Sequence, residues 1–370
     1  MDKQYEVYGN ARPPAGDKPA STLAAAIERF HAAYVNGIPE LRRRQPTHRP
    51  TFDDQLQALV AARCTRAELL HYSRFKHQRR EGLKAARQGS FSAARLDLNL
   101  ARGYLREIDT AEVRLVGASS YLAALAYLQY RQLKPAQARR LVERALAIDV
   151  RLENEFALGI MYGHRIQLVH NLVRVEARFG TVRGAIDLGV VLLEQLEGRI
   201  DASPTSHPWD QDDHRKVDPT QRRLLFNLII SDIALLQLQA GPQVAEEASD
   251  IYQRHLANCS HEQRQLFADG HAWLTLRANL KSCKIPESLN LASEYLERDA
   301  RGAPILWYET AMSAALQLCN SDNAEVRSLG GNILEEGTRL PFTPNEIRAR
   351  GFPPLNNPGA AASDSTSGAV

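Results

Sequence analysis

The chain contains few cysteines, and they are widely spaced. Only Cys64, Cys259, Cys283 and Cys319 occur among 370 residues, and no two of them form a CxxC motif. Close cysteine pairs mark zinc and dithiol redox sites, and dense cysteines mark small disulfide-stabilised domains. The sequence therefore excludes a disulfide scaffold, and we expect these four residues to act as small apolar core residues.

Long apolar runs are also lacking. The longest, such as residues 224–230, are far below the ~18 residues that a membrane-spanning helix needs. The first 20 residues are polar and lack the apolar segment of a secretory signal. Hydrophobic residues make up 44% and charged residues 24%, which is ordinary for a globular protein. These features predict a cytoplasmic protein.

Familiar catalytic motifs are missing as well. The chain has no HExxH, GxxxxGK[ST], GxGxxG or GxSxG sequence. Ser119 and Ser120 have no neighbouring motif that would activate a hydroxyl nucleophile. His164 and His170 are six residues apart, on opposed faces of a helix, and are expected to be structural. We therefore expect no catalytic residue, no metal ligand and no cofactor.

The net charge of +3 is unevenly distributed. Residues 1–110 carry 19 basic and 12 acidic side chains, whereas residues 201–370 carry 15 basic and 22 acidic ones. If sequence order were also spatial order, the basic first half would attract an acidic partner. Arginine supplies 38 of the 46 basic residues, which favours a GC-rich bacterial genome. Arginine is also the better ligand for carboxylate and phosphate groups.

Helical periodicity dominates the chain between its two ends. Apolar residues recur at helical spacing through residues 21–351, and no strand-like alternation is found. Residues 1–20 and 352–370 are rich in proline, glycine and small residues, and are predicted to be disordered. Residues 198–219 lose the helical period and are predicted to form an inserted loop. Long internal loops often carry function.

Small and large residues alternate around one predicted turn between two helices. Gly82 on the first helix and Ala94 and Ala101 on the second would let two antiparallel helices approach, while Phe91 and Leu98 fill the remaining space. The alanine at position 94 has counterparts at Ala138, Ala185 and Ala248, at spacings of 44, 47 and 63 residues. The chain is therefore expected to repeat a helical hairpin.

This hairpin resembles that of the tetratricopeptide repeat family, with the better fit over residues 65–200 and a poorer one over residues 220–340. The resemblance implies an all-α fold, a right-handed α-solenoid of stacked antiparallel hairpins with a concave groove. Other hairpin solenoids give similar spacings, so a different all-α bundle is the alternative.

The resemblance also implies which residues face that groove. The inner-helix positions of the first three units are Arg79, Arg87, Tyr127, Arg131, His170, Asn171, Arg174 and Arg178. Arginines that converge on one anion can hold a carboxylate in bidentate geometry. The leading hypothesis is an adaptor or regulatory scaffold that binds an acidic peptide or partner protein. The alternative is that these arginines are solvated helix faces.

Two other functional classes stay open. Arg42, Arg43, Arg44, His48, Arg49 and the basic residues 74–80 would suit a nucleic-acid binder, although few aromatic residues lie among them. The 198–219 loop would suit an accessory subunit of an enzyme complex. Its residues His207, Trp209, Asp210, Asp212, Asp213 and His214 would then form a metal site or a lid over the groove, although a solvated acidic loop is the simpler expectation.

Terminal apolar residues leave homodimerisation open. Leu316, Leu318, Ile333 and Leu334 suit the core, a cap or a dimer contact equally.

Overall fold

Helices account for most of the residues that the structure describes. The computed structural model describes residues 22–42, 52–199, 203–210, 212–240, 242–280, 283–298, 303–340 and 343. These residues form fifteen α-helices and no strand, so the prediction of an all-α protein is confirmed. The predicted disordered segments 1–20 and 352–370, and basic residues 43–49, lie outside the described residues.

The helices follow one another with short connections. Their bounds are α1 Leu23–Arg42, α2 Phe52–Arg63, α3 Arg66–Arg87, α4 Phe91–Arg106, α5 Ala111–Arg131, α6 Pro135–Phe156, α7 Met161–Phe179, α8 Val182–Glu197, α9 Pro219–Ala240, α10 Pro242–Ala257, α11 His261–Leu266, α12 Ala268–Leu280, α13 Ile285–Leu296, α14 Pro304–Cys319 and α15 Ala324–Thr338. A 3-10 turn at Asp213–Lys216 interrupts the long connection between α8 and α9.

Neighbouring helices pack in pairs, most extensively α3 with α4, α5 with α6, and α14 with α15. The predicted close approach at Gly82 is confirmed. A Cβ atom added there would lie 2.9 Å from Leu98 Cγ and 3.2 Å from the Ala94 carbonyl oxygen. Ala94, Leu98 and Ala101 are all buried. The same register recurs in the next pair, where Ala138, Val142 and Ala145 are buried.

The buried carboxylate of Glu68 joins the start of the α3/α4 pair to the start of the α5/α6 pair. Glu68 closes a capping box with Thr65 at the beginning of α3. Its other oxygen accepts hydrogen bonds from the backbone nitrogens of Asp109 and Thr110, at 3.0 and 2.7 Å. These bonds, led by those from Thr110 and Thr65, lower the pKa of Glu68 to about 2. The anion therefore holds the beginnings of α3 and α5 together.

Two predicted helix boundaries are wrong. The helical period of the sequence predicts a helix over residues 155–179. This helix instead begins at Met161, because α6 continues to Phe156 and the chain then turns at Ala157, whose φ is +54°. The same period predicts one helix over residues 261–281. That helix breaks at Phe267, which stacks on Phe226 with ring centroids 4.4 Å apart. In both places buried apolar residues continue through the turn, so the helical period in the sequence does not reveal the break.

The first helix does not lie beside the second. Phe30 and Tyr34 of α1 belong to a buried cluster with Trp307 of α14, and Tyr34 stacks on that indole at 5.7 Å. Arg29 forms ion pairs with Glu294 and Glu297. Sequence order is therefore not spatial order at the N-terminus, and the expectation of a basic end and an acidic end is wrong for α1.

The same contacts account for the terminal apolar residues. Leu316, Leu318 and Ile333 are buried in the cluster that contains Phe30, and Leu334 packs against it partly buried. These residues form core contacts within one chain.

One described helix has the length and hydropathy of a membrane span. This helix is α9, with a mean hydropathy of 1.3 over its most apolar window. It buries Phe226, Ile230 and Ile233 in the largest apolar cluster of the protein. Packing in the core accounts for part of its apolar composition, whereas Leu224 and Leu228 on the same helix are exposed.

The close approach of α3 and α4 can be tested with one matched pair of variants. Gly82→Val places a branched side chain against Leu98, so we expect the free energy of unfolding to fall by about 1–3 kcal/mol. Gly103→Val, on an open face of α4 where an added Cβ meets nothing within 4 Å, should leave it nearly unchanged. Urea unfolding followed by circular dichroism measures both. Equal stability of the two variants would contradict the packing at Gly82.

The docking of α1 gives a second test. Phe30 is fully buried, so Phe30→Ala should lower the free energy of unfolding by about 3–5 kcal/mol. Val35→Ala on the same helix removes a side chain that is 48% exposed and should change it by less than about 0.5 kcal/mol. Thermal unfolding of both variants is the measurement, and a negligible effect of Phe30→Ala would mean that α1 is not docked on α14.

Candidate functional site

Several of the residues predicted to face a groove come together between α5, α6 and α7. Tyr127, Asn171 and Arg174 line one crevice of about 50 Å³, together with Tyr130. Arg131 Nη1 donates to the Tyr127 hydroxyl at 3.4 Å. Arg178 lies over the Tyr130 ring, 4.9 Å from its centroid. Five of the eight predicted residues are therefore gathered in one place.

An acidic residue already neutralises part of the positive charge of the predicted groove residues. Asp232 of α9 lies 2.7 Å from Arg174 Nε and 2.9 Å from His170 Nε2. Although burial opposes ionisation, the contacts with His170 and Arg174 hold the pKa of Asp232 below its usual value. His170 and Arg174 consequently fasten α7 to α9, and their charge is partly neutralised inside the protein.

The two predicted residues on α3 stand apart from this crevice. Arg79 lies over the Phe75 ring, 6.0 Å from its centroid, and Arg87 is exposed in the last turn of the helix. Within the described chain, no hydrogen bond, ion pair or ring contact joins either arginine to Tyr127 or Asn171. The structure therefore does not combine all eight residues into one site.

A larger groove lies between α4, α5 and α6. Its volume is about 370 Å³. Four exposed arginines surround it: Arg102 and Arg106 from α4, Arg114 from α5 and Arg144 from α6. The rest of the lining is apolar apart from the Tyr121 hydroxyl, with Leu105, Ala118, Leu122, Leu125, Leu141 and Ile148. We call this surface the basic groove.

The positive charge of the basic groove is not neutralised. No acidic residue lines it, and none of its four arginines forms an ion pair among the residues that the structure describes. Arg114 Nη1 donates to the Ile108 carbonyl oxygen at 3.1 Å, which fixes one side of the rim. Burial raises the pKa of Tyr121, and the charges of Arg102 and Arg106 oppose that shift. An apolar floor under four free cations suits an amphipathic anion.

These four arginines were not predicted from the sequence, because the family resemblance implies only inner-helix positions. Arg102 and Arg106 are one helical turn apart, and this i, i+4 arginine pair on an amphipathic helix is the signal that was available. The contribution of Arg144 depends on the packing of α6 against α5, which local sequence does not reveal.

The 198–219 loop is only partly a solvated acidic loop, because Asp210, Asp212 and Asp218 are exposed whereas three other residues are not. Trp209, Asp213 and Val217 are buried. The Trp209 ring lies 4.1 Å from the Arg165 guanidinium and packs edge-on against Tyr162. Asp213 pairs with Arg165 and Lys216. The expectation of a solvated loop is therefore wrong for these residues.

The loop is also not placed as a lid over the predicted groove residues. Trp209 contacts the first turns of α7, and His207 Nε2 lies 3.0 Å from the Glu143 carbonyl oxygen on α6. Within the described ranges, its histidines and aspartates form no cluster with metal-ligand spacing. Trp209, Asp213 and Val217 instead anchor the loop in the core, while Asp210 and Asp212 stay exposed.

Ser119 does lie near a histidine and an aspartate, but not as an activated nucleophile. Its Oγ is 3.4 Å from His164 Nδ1, and Asp149 Oδ2 is 2.7 Å from that same nitrogen. A relay requires the serine and the acid to contact different nitrogens of the imidazole. Ser119 is fully buried, and its hydroxyl lies 3.4 Å from the Ala145 carbonyl oxygen. This trio links α5, α6 and α7.

No relative assigns a ligand to either surface. Comparison of the chain with protein-family models, with curated proteins and with solved structures finds no match. What the basic groove binds must follow from its own shape and charge.

Substitution of a buried, ion-paired arginine should lower stability far more than substitution of an exposed, unpaired one. Arg165 is buried against Glu153 and Asp213, so Arg165→Ala leaves two buried carboxylates with Lys216 as their one remaining cationic partner and should cost about 3–5 kcal/mol of stability. Arg106→Ala removes an exposed, unpaired charge and should change stability by less than about 0.5 kcal/mol. Chemical denaturation of both variants makes the comparison. A large loss with Arg106→Ala would show that this arginine maintains the fold.

Proposed function

We propose that this protein is an adaptor that binds an acidic segment of a partner protein in the basic groove. The observation that carries the proposal is the combination of four unpaired arginines with an apolar floor in one open groove of about 370 Å³. Arginine forks hold carboxylates in bidentate geometry, and leucine and isoleucine side chains on the floor accept apolar groups between them. The ligand is therefore an acidic segment with interspersed apolar residues.

The arrangement of the helices supports this role. Paired antiparallel helices packed in succession from α3 to α8 suit a tetratricopeptide-like solenoid, which buries apolar faces by stacking and leaves grooves between units. Such an adaptor would act in the cytoplasm, as the composition predicts. We therefore propose both the relationship to the tetratricopeptide repeat family and the cytoplasmic location.

The Tyr127 crevice is the second part of the proposed binding surface. It holds only about 50 Å³, and Asp232 pairs with Arg174 at its edge. Arg131 and Arg178 remain available there, because Arg131 donates to the Tyr127 hydroxyl and Arg178 lies over the Tyr130 ring, and neither contacts a carboxylate of the described chain. We assign the main anion contacts to the basic groove and a lesser role to this crevice.

A protein ligand fits the basic groove better than a nucleic acid. Single-stranded nucleic acids bind where aromatic rings stack on bases along a basic track. Tyr121 is the one aromatic residue that lines the basic groove, and the remaining floor is aliphatic. Aliphatic floors suit leucine or valine side chains.

Binding of a defined peptide tests the proposal. The probe is a fluorescent peptide of alternating glutamate and leucine, and its affinity is measured by fluorescence anisotropy. We expect saturable binding that weakens as salt is added, since charge pairs at the rim are screened. Arg106→Ala combined with Arg144→Ala should lower the affinity at least about tenfold, because each hydrogen bond to a charged group contributes roughly 1.5–3 kcal/mol.

Three controls test whether binding depends on the charge of the peptide, on the basic groove and on the class of ligand. The same peptide with glutamine in place of glutamate should bind at least about tenfold more weakly, for the same reason. Arg131→Ala combined with Arg178→Ala alters the Tyr127 crevice and should have a smaller effect. Tighter binding of a single-stranded oligonucleotide than of the acidic peptide, or full affinity in the Arg106/Arg144 double variant, would overturn the proposal.

A further inference from the structure

Four side chains that can bind metal converge where α8, α10 and α12 meet. Glu197 is the last residue of α8, His255 lies in the last turn of α10, Cys259 follows that helix, and His271 lies on α12. One donor atom from each lies within 4.8 Å of all the others. The folded chain brings together residues that are up to 74 positions apart.

The separations between these donor atoms suit tetrahedral coordination. Glu197 Oε1 lies 3.4 Å from His255 Nε2, and Cys259 Sγ lies 3.8 Å from His271 Nε2 and 4.0 Å from Glu197 Oε1. Zinc bonds of about 2.0–2.3 Å place neighbouring ligand atoms about 3.3–3.8 Å apart. His271 Nε2 and Glu197 Oε1 are closer, at 2.5 Å, because they share a hydrogen bond that a cation would replace.

The surrounding residues orient the ligands. Arg199 Nη2 binds the second oxygen of Glu197 and leaves Oε1 directed toward the imidazoles. Glu194 Oε1 lies 3.5 Å from His255 Nδ1, where it can accept the ring proton. Arg199 Nη2 lies 2.9 Å from Nδ1 and 3.2 Å from Nε2 of the same ring, so a cation bound at Nε2 would displace the contact between Arg199 and Nε2. Outer partners of this kind fix the geometry of metal ligands.

The cluster is shielded from water. The side chains of Glu197 and His255 are fully buried, and that of His271 is 5% exposed. The aromatic rings of Phe226 and Phe267 lie 5.6 and 6.3 Å from the His271 ring. Cys259 is the most accessible of the four, since it is only partly buried.

The thiol distinguishes this cluster from an ion-pair network. Glu197, Arg199 and the two histidines could form a buried salt-bridge cluster without any cysteine. A thiolate is a soft donor that zinc prefers. Cys259 Sγ lies within 4.8 Å of the donor atoms of the other three residues, so the thiol is part of the cluster rather than beside it.

We propose that Glu197, His255, Cys259 and His271 bind one zinc ion. Four protein ligands fill a tetrahedral shell, so the ion is structural and cross-links α8, α10 and α12. No metal ligand was expected from the sequence, because its cysteines form no CxxC pair. The signal that was present is a histidine and a cysteine four residues apart near the end of one helix, with a second histidine twelve residues later.

Cobalt and zinc titration of the full chain tests this site. The protein is stripped with a chelator under reducing conditions and titrated with Co²⁺. We expect one Co²⁺ per chain, a thiolate-to-cobalt charge-transfer band and the intense visible bands of tetrahedral cobalt. Zn²⁺ should abolish these bands by displacement and raise the melting temperature as its concentration increases.

Cys259→Ser provides the decisive variant, and Cys283→Ser the matched control. Loss of an outer partner alone costs about 10–100-fold in metal affinity, so Cys259→Ser should lower zinc affinity at least about a hundredfold and remove the charge-transfer band. Cys283→Ser should bind like the unmodified chain. Retained affinity in Cys259→Ser, an octahedral cobalt spectrum, or no saturable binding would overturn the proposal.

A measurement on the unmodified chain covers the case in which Cys259→Ser does not fold. Iodoacetamide alkylation of each cysteine is followed by mass spectrometry with and without Zn²⁺. We expect Zn²⁺ to slow the alkylation of Cys259 and to leave that of Cys283 unchanged. Equal rates at Cys259 in both conditions would contradict zinc binding there.

Discussion

The close approach of paired helices is the constraint on which the structure depends. At Gly82 the second helix of the pair comes so near that a single added carbon would overlap Leu98. Gly189 has the same relation to Ile233, whose Cδ1 would lie 2.8 Å from an added Cβ. Small residues at these crossings let the larger side chains on either side interdigitate, because interiors pack at crystal-like density. The grooves between helices are what remains where side chains are too short or too polar to fill the space.

Buried charges then fix how one pair sits against the next. Glu68 joins the starts of α3 and α5, Asp232 joins α9 to α7, and Glu309 accepts hydrogen bonds from Trp273 Nε1 and from Arg277. Each of these carboxylates has its partners on other helices or loops. Removing one partner would leave an uncompensated charge in the interior, which costs far more than a surface ion pair contributes. These anions therefore specify the relative positions of the helices more than they add to stability.

The sequence predicted the helices and the small-residue crossings well, because both depend on local periodicity. Gly82, Ala94 and Ala101 carried enough information to predict the pairing of α3 with α4. The turn at Ala157 and the break at Phe267 were missed because buried residues continue through them. The basic groove could be predicted only in part. The Arg102 and Arg106 pair is visible along one helix, whereas Arg144 joins it through the packing of α5 and α6. The docking of α1 and the convergence of Glu197 with His271 depend on contacts between distant residues, which no local pattern encodes.

The position of α1 has a consequence for how the protein is made. Arg29 and its partner Glu297 are 268 residues apart, so the ribosome releases α1 long before α13 and α14 exist. During that interval the faces of Phe30 and Tyr34 that later contact Trp307 have no native partner. Long-range contacts of this kind form late, because closing a large loop costs entropy before any contact is gained. Helices α13 and α14 thus complete the burial of α1, and a nascent chain that stops before α14 leaves the apolar face of α1 exposed to aggregation.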